Sequence, residues 1–361
     1  MDFGLSNEQR ALQDTVADFL GDFSSVAAVR RILGGDVESA KALGNGLSRL
    51  GASAIAVPAE HGGLGLGVLD AALLSEMTGR FVAPVDPMGT TLTAFALRRA
   101  GSESQKSAWF EGVMKGALDF GVALAHAISD REGQSVTSDG GRLRGRSLFV
   151  TCPPDATHFL VPDDQGALWI IARDSAGLAL RPLTTIDRTR RFCVLELEGV
   201  EGERLAVARG KDLVDELIAI ARVLAAADAL GAAQRMVEMA VAYAHERRQF
   251  GVPIGSFQAV KHMCAEMAAE LEPCRALMWY AAQSLDRQAP DALVTACHAK
   301  GRISDVARFV ARTATEVHGG IGFTEELGLH LWFKRIGVDR QLWGGPESLR
   351  AEAARRQGWA T

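Results

Sequence analysis

Apolar and polar positions follow two different periods along this chain, and the period changes twice. Over residues 1–112 the apolar positions recur at helical spacing, as in Leu12, Val16 and Phe19/Leu20. Ser6 followed three residues on by Gln9 predicts a capping box, in which the hydroxyl takes a free N–H at the helix start. The run Pro58–Gly67 (PAEHGGLGLG) predicts a loop between helices, after which Val68–Met77 resumes the helical pattern. Its glycines make no dinucleotide fingerprint: no strand–turn–helix context surrounds them, and Val68 stands where a third glycine is needed. From 113 to 207 the period shortens. Phe120–Ala125 is a short apolar run, and Asp139-Gly140-Gly141 parts two alternating segments. Asp163–Gly166 likewise parts THFLVP from ALWIIA, and glycine at such points supplies the positive φ of a tight turn. From 208 to 361 long helices return. Ala219–Arg247 is rich in alanine and methionine, whose small members allow close helix packing, and the stripe Met236, Met239, Tyr243 reads as core. The expected fold class is α+β, with a helical, a β and a second helical domain in that order.

Composition narrows the classes of function. The 361 residues suffice for two or three domains, and 48% hydrophobic with 23% charged residues fits a soluble globular protein. A net charge of -5 leaves no polybasic footprint, so nucleic acid is not an expected partner. Five scattered cysteines (Cys152, Cys193, Cys264, Cys274, Cys297) show no C-x-x-C pair and no zinc spacing, which suits idle thiols in a reducing compartment. The opening MDFGLSNEQR lacks a basic region followed by an apolar one, and no apolar run approaches the ~20 residues of a membrane span. A cytoplasmic protein is expected. The eight histidines include no H-E-x-x-H, and no G-x-S-x-G elbow is present, so neither a metal site nor a serine hydrolase is expected.

Two long motifs carry the chemistry. Val241–Met267 reads VAYAHERRQFGVPIGSFQAVKHMCAEM, and His318–Arg335 reads HGGIGFTEELGLHLWFKR. The first resembles the flavin-binding signature of the acyl-CoA dehydrogenase family, where an R-x-x-F-G turn meets an F-Q-containing helix; the second matches at the family's spacing. The resemblance extends to about Arg350. It implies an N-terminal helical domain, a small middle β domain and a C-terminal four-helix-bundle domain. It also implies FAD as cofactor, acyl-CoA as substrate and an electron-transfer flavoprotein as electron acceptor.

The resemblance divides the flavin contacts in two. One set reaches the adenosine diphosphate half across a subunit interface and is mostly present here. Arg247 suits phosphate oxygens, Phe250 supplies an apolar wall, and Gln258 an amide. Gly319, Gly320 and Gly322 let backbone approach phosphates closely. Glu316 departs from the pattern, standing where the family has glutamine two residues before HGG. The set holding the flavin ring from the same subunit is poorer. The family's T-E-P-x-x-G-S-D survives only as Ala125-His126-Ala127, and its W-I-T as Phe149-Val150-Thr151. For Phe149, a flavin contact and a β-core position are both open.

Dehydrogenation of a thioester needs a carboxylate to take the α proton while the flavin accepts the β hydride. The resemblance implies two possible sites for the base, and Gly344 occupies one and Ala221, just before Arg222, the other. Both are empty. Glu347 reads as a helix-start carboxylate. Asp228 lies in the apolar stretch Val223–Leu230 and must be paired or wet; it is the candidate substitute base, although seven residues beyond Ala221 is about 10.5 Å along a helix. Three readings follow. The favoured one is a subunit of a hetero-oligomer, by implication a heterotetramer, in which a second family member carries the base. The alternatives are a self-sufficient homo-oligomer using Asp228, and a non-catalytic scaffold of the same fold.

Overall fold

The first helix starts where the capping pattern places it. The Gln9 N–H donates to Ser6 Oγ at 3.2 Å, and the Ser6 N–H donates to Gln9 Oε1 at 3.0 Å, so two free helix-start donors are satisfied reciprocally. The computed structural model describes residues 4–128, 133–207 and 210–360. Six helices come first: α1 (Asn7–Phe23), α2 (Val26–Leu33), α3 (Val37–Arg49), α4 (Val68–Arg80), α5 (Met88–Ala100) and α6 (Glu103–Met114). Strands follow: β1 (Phe120–Val122), β2 (Ser135–Asp139), β3 (Arg142–Thr151), β4 (His158–Pro162), β5 (Leu168–Ala172), β6 (Leu178–Leu183), β7 (Phe192–Glu201) and β8 (Glu203–Arg204). The long α7 (Lys211–Glu246) then leads through two-residue strands β9 (Arg248–Gln249) and β10 (Val252–Pro253) into α8 (Gln258–Asp286). Helices α9 (Ala292–His318), α10 (His330–Gln341) and α11 (Pro346–Arg356) complete the chain. This is the helical, β, helical order that the changes of period predict. The expected start of the third zone, residue 208, lies outside the described residues, as do residues 129–132, which the T-E-P-x-x-G-S-D comparison spans.

The chain forms two compact units, each built from discontinuous segments: Met1–Asp36 with Ala72–Ala83 and Arg222–Thr361, and Val37–Ala71 with Pro84–Ala221. The second unit holds the sheet, ordered β6-β7-β3-β1-β4-β5-β8 with β2 paired to β3. All its pairs are antiparallel except β1 with β4. The β2–β3 turn closes at Asp139↔Arg142, with Gly140 and Gly141 at φ 54° and 81°, the signs a type I′ turn requires. The β4–β5 turn is held by Asp163, whose carboxylate accepts N–H bonds from Gln165, Ala167 and the Trp169 indole. The sheet buries Val136, Leu143, Val150, Phe159, Trp169, Ile171 and Leu195 in one cluster. In the first unit, α4 and α7 cross through glycines. A Cβ on Gly79 would fall 1.9 Å from the Asp228 carbonyl, and one on Gly231 1.8 Å from that of Glu76. Only glycine permits that approach.

Candidate functional site

The two sequence motifs meet at one end of the C-terminal helices. Where α7 ends, Phe250 and Gly251 form the two-residue corner of the β9–β10 hairpin, at φ 52° and 82°. The left-handed corner leaves Phe250 92% exposed. Arg247, just before it, is exposed, and its guanidinium has no partner among the described residues. Gln258 opens α8 and is also exposed, so its amide lies beside the unpaired N–H groups of a 29-residue helix. The second motif begins where α9 stops. Gly319 ends that helix at φ 62°, and a Cβ on Gly319 or Gly320 would meet nothing within 4 Å. Gly322 is different: it is buried, and a Cβ there would sit 2.8 Å from the Thr315 carbonyl, so this glycine serves packing. The two motifs are locked together by Tyr243 of α7, which stacks on His318 of α9 at 4.8 Å between centroids. Tyr243 is thus half-buried against a histidine, where the sequence suggested a plain core stripe. Glu316 is exposed in the last turn of α9.

The implied base positions carry no acid. Ala221 is fully buried in α7. Gly344 lies between α10 and α11 at φ 116°, a conformation that side chains disfavour. Their neighbours are bonded to each other: Arg222 Nε donates to the Trp343 carbonyl at 2.9 Å. The rest of that guanidinium grips Glu352, Nη1 to Oε1 at 3.0 Å and Nη2 to Oε2 at 2.7 Å. Arg356 Nε adds a third bond to Glu352 at 2.9 Å. Burial pushes the Glu352 carboxyl up, but Arg222 and Arg356 outweigh it and hold it below the usual glutamate range. Trp343 is itself at φ 56° with a buried indole N–H that has no partner among the described residues. Glu347 is 71% exposed and takes Arg340 at 2.9 Å in the first turn of α11, as a helix-start carboxylate should. Glu352 and its clamp were invisible in the sequence, because 130 residues separate the partners.

Asp228 is a structural acid. The alternative that makes it the base fails on geometry. Its Oδ1 accepts Arg335 Nε at 2.8 Å, and its Oδ2 accepts Arg335 Nη2 at 2.8 Å and Thr78 Oγ1 at 3.0 Å. Both members of the ion pair are 0% exposed. A carboxylate with each oxygen so engaged, and no open face, has no route to a substrate carbon.

The ring-side candidates lie in the sheet. Between Ser147 and Val150 the β3–β7 register shifts, and Phe149 takes φ 51°. The irregularity turns Phe149 outward, 43% exposed, instead of into the β core. Thr151 is fully buried, and its Oγ1 accepts the Val122 N–H at 3.1 Å. In the shortened segment, His126 is tied at both nitrogens, to Ser147 Oγ at 2.9 Å and the Pro162 carbonyl at 2.8 Å, so it braces the sheet.

Comparison with known proteins gives the family. The description "Acyl-CoA dehydrogenase, N-terminal domain" matches residues 6–117, and "Acyl-CoA dehydrogenase, C-terminal domain" residues 208–358. Acyl-CoA dehydrogenase IpdE2 of Mycobacterium tuberculosis is 30% identical, over 95% of both chains. The chain belongs to the acyl-CoA dehydrogenase family. Among solved structures, the Tcur3481-Tcur3483 steroid acyl-CoA dehydrogenase G363A variant superposes with a TM-score of 0.88 at 26% identity, covering 97% of this chain and 98% of that one. The ChsE4-ChsE5 complex from Mycobacterium tuberculosis gives 0.87 at 27% identity, covering all of both chains. Membership makes the chain an oxidoreductase by family. No helix among its described residues is long and apolar enough to cross a membrane, and no group of three or more acidic, histidine or cysteine side chains there could hold a metal.

Proposed function

We propose that this chain is one subunit of a hetero-oligomeric, FAD-dependent acyl-CoA dehydrogenase that lacks its own base and completes a partner's flavin site. The observation carrying this reading is the pair of acid-free positions Ala221 and Gly344 beside an Arg222 already spent on Glu352 and Trp343. The residues present fit the cofactor's adenosine diphosphate half. Arg247 offers an unpaired guanidinium, Gln258 an exposed amide, Phe250 an apolar face, and Gly319 and Gly320 open backbone. Gly322 would hold that loop in shape, Glu316 would stand at its edge, the outward-facing Phe149 would border the ring in the sheet, and the fully buried Thr151 would brace that strand through the Val122 N–H. When bound, FAD supplies the hydride acceptor for the substrate's β carbon. The residues of this chain bind and orient; the α proton goes to a glutamate of the partner. The name of the Tcur3481-Tcur3483 relative supports a steroid CoA ester as the acyl-CoA class, and the ChsE4-ChsE5 title supports assembly from two different chains. The assembly we infer is a cytoplasmic heterotetramer passing electrons to an electron-transfer flavoprotein, with this chain divided into an N-terminal helical domain (1–112), a middle β domain (113–207) and a C-terminal helical domain (208–361).

The test is the visible spectrum of the purified chain during anaerobic titration with acyl-CoA esters, alone and after co-expression with a base-bearing family member. The reading expects no bleaching of flavin by the chain alone and bleaching in the co-expressed complex. Bleaching by the chain alone would overturn it.

A further inference from the structure

Strands β3 and β7 set two thiols side by side. Beyond the bulge at Phe149 the register runs Val150↔Cys193 and Thr151↔Phe192, and the Cys152 N–H donates to the Arg191 carbonyl at 3.0 Å. Residues two apart on a strand share a face, and directly opposed residues share one too. Val150, Cys152 and Cys193 therefore point to the same side of the sheet. That side is the β core: Cys193 is 2% exposed within it, and Cys152 packs half-buried at its margin. Both thiols are free, and they are diagonal neighbours across the two strands in one apolar cluster. The neighbourhood is cationic, with Arg191 just ahead of the facing strand and Arg173 held in place by the Ala156 and Pro154 carbonyls at 3.1 and 3.3 Å.

We propose that Cys152 and Cys193 are a redox-active dithiol, a modification site at which hydrogen peroxide oxidises Cys152 and Cys193 resolves the product as a disulfide. The step balances. The Cys152 thiolate attacks one peroxide oxygen; an S–O bond forms, the O–O bond breaks, and hydroxide leaves to become water with the proton Cys152 gave up. The Cys193 sulfur then attacks the sulfenic sulfur. An S–S bond forms, the S–O bond breaks, and the departing hydroxide takes the Cys193 proton as a second water. The peroxide gains the two electrons that the thiol pair loses.

Polarity within the pair fits these roles. The hydrogen bond from Cys193 lowers the Cys152 thiol to about 7 against the opposing effect of burial, and Arg173 and Arg191 help; the same contact, with burial, pushes Cys193 up. Cys274 and Cys297 are each pushed up to about 11 by burial, and Cys264 is raised by the same cause. The half-buried Cys152 is therefore the thiol a peroxide meets in reactive form. The disulfide would fasten β3 to β7 directly after the Phe149–Thr151 segment, and reduction by a dithiol would release it.

The experiment treats the full chain with hydrogen peroxide, blocks remaining thiols, and maps peptides without reduction. The expected result is a Cys152–Cys193 cross-linked peptide, lighter by two hydrogens and restored by dithiothreitol. Cys193→Ala should leave Cys152 as a sulfenic acid trapped by dimedone, and Cys152→Ser should abolish the cross-link. Alkylation of Cys152 should speed up with rising pH and level off above about 7. Cys152 oxidised to sulfinic acid while Cys193 stays reduced, or Cys264 consumed before Cys152, would overturn the proposal. Should Cys193→Ala fail to fold, the wild-type peptide map decides alone.

Discussion

Asp228 offers the sharpest separation between a catalytic and a structural carboxylate. Its two oxygens accept two bonds from Arg335 and one from Thr78, and Arg335 spends a further N–H on the Ala83 carbonyl at 3.3 Å. Asp228→Ala would leave a fully buried guanidinium without its counter-charge, which costs about 3–5 kcal/mol. Asp228→Asn keeps the volume and one acceptor but loses a charge-assisted bond, at about 1.5–3 kcal/mol. With a melting shift of about 2–4 °C per kcal/mol for a unit of this size, Asp228→Ala should lower the melting temperature by about 6–20 °C. The asparagine variant should fall between it and the wild type. The assay is thermal unfolding of the full chain followed by circular dichroism, paired with the dehydrogenation rate of the co-expressed complex per folded molecule. A structural acid predicts large melting shifts with the rate per folded molecule kept. An asparagine variant that melts like the wild type but has lost dehydrogenation would refute the reasoning.

Other outcomes follow from features equally local. Gly231→Ala drives a methyl into the Glu76 carbonyl and should destabilise the chain by about 1–3 kcal/mol or more in urea titration. Gly344→Glu places a side chain at φ 116° and 3.3 Å from Leu349 Cδ2; it should cost about 1–3 kcal/mol and, in the anaerobic titration, give the isolated chain no power to bleach flavin. Arg247→Ala should weaken FAD binding by the co-expressed complex about 10–100-fold by fluorescence titration, the loss of a charged hydrogen bond worth about 1.5–3 kcal/mol. Two acid-side losses of stability are expected from melting temperature against pH. Burial holds His126 below its usual 6.5, so the fold carries it neutral, and stability is full above that value and declines as pH falls beneath it. The lowered Glu352 adds stability that is present above about 4.5 and lost on further acidification, a step that Glu352→Gln should flatten.

What the sequence disclosed and what it hid follow from the range of the interactions involved. The Ser6–Gln9 cap, the Asp139–Gly141 hairpin and the Asp163–Gly166 turn each rest on residues within a few positions of one another, and all stand where the pattern put them. Local signals fail where context overrides them. Helix α7 opens at Lys211, ahead of the alanine-rich run, and there Leu213, Val214, Leu217 and Ile218 bury a face although Asp212, Asp215 and Glu216 interrupt the apolar pattern. Strand β6 contains Pro182, tolerated at the edge of the sheet. At the site, the motifs marked the exposed Arg247–Gln258 corner and the glycine loop, but the Tyr243–His318 stack that joins them has no sequence signature. The fate of Asp228 was likewise out of reach, since Arg335 is 107 residues away.

The turn at Trp343–Gly344 works as a ratchet. With two successive residues at positive φ, a return of any side chain at 344 is penalised until the backbone between α10 and α11 is rebuilt, and that backbone is pinned by Arg222 through the Trp343 carbonyl. A single substitution there therefore carries backbone strain that only a rearranged turn would relieve. Under the reading proposed above, a lineage that once gave its proton chemistry to another subunit would keep the two genes bound to a common fate, inherited and lost together.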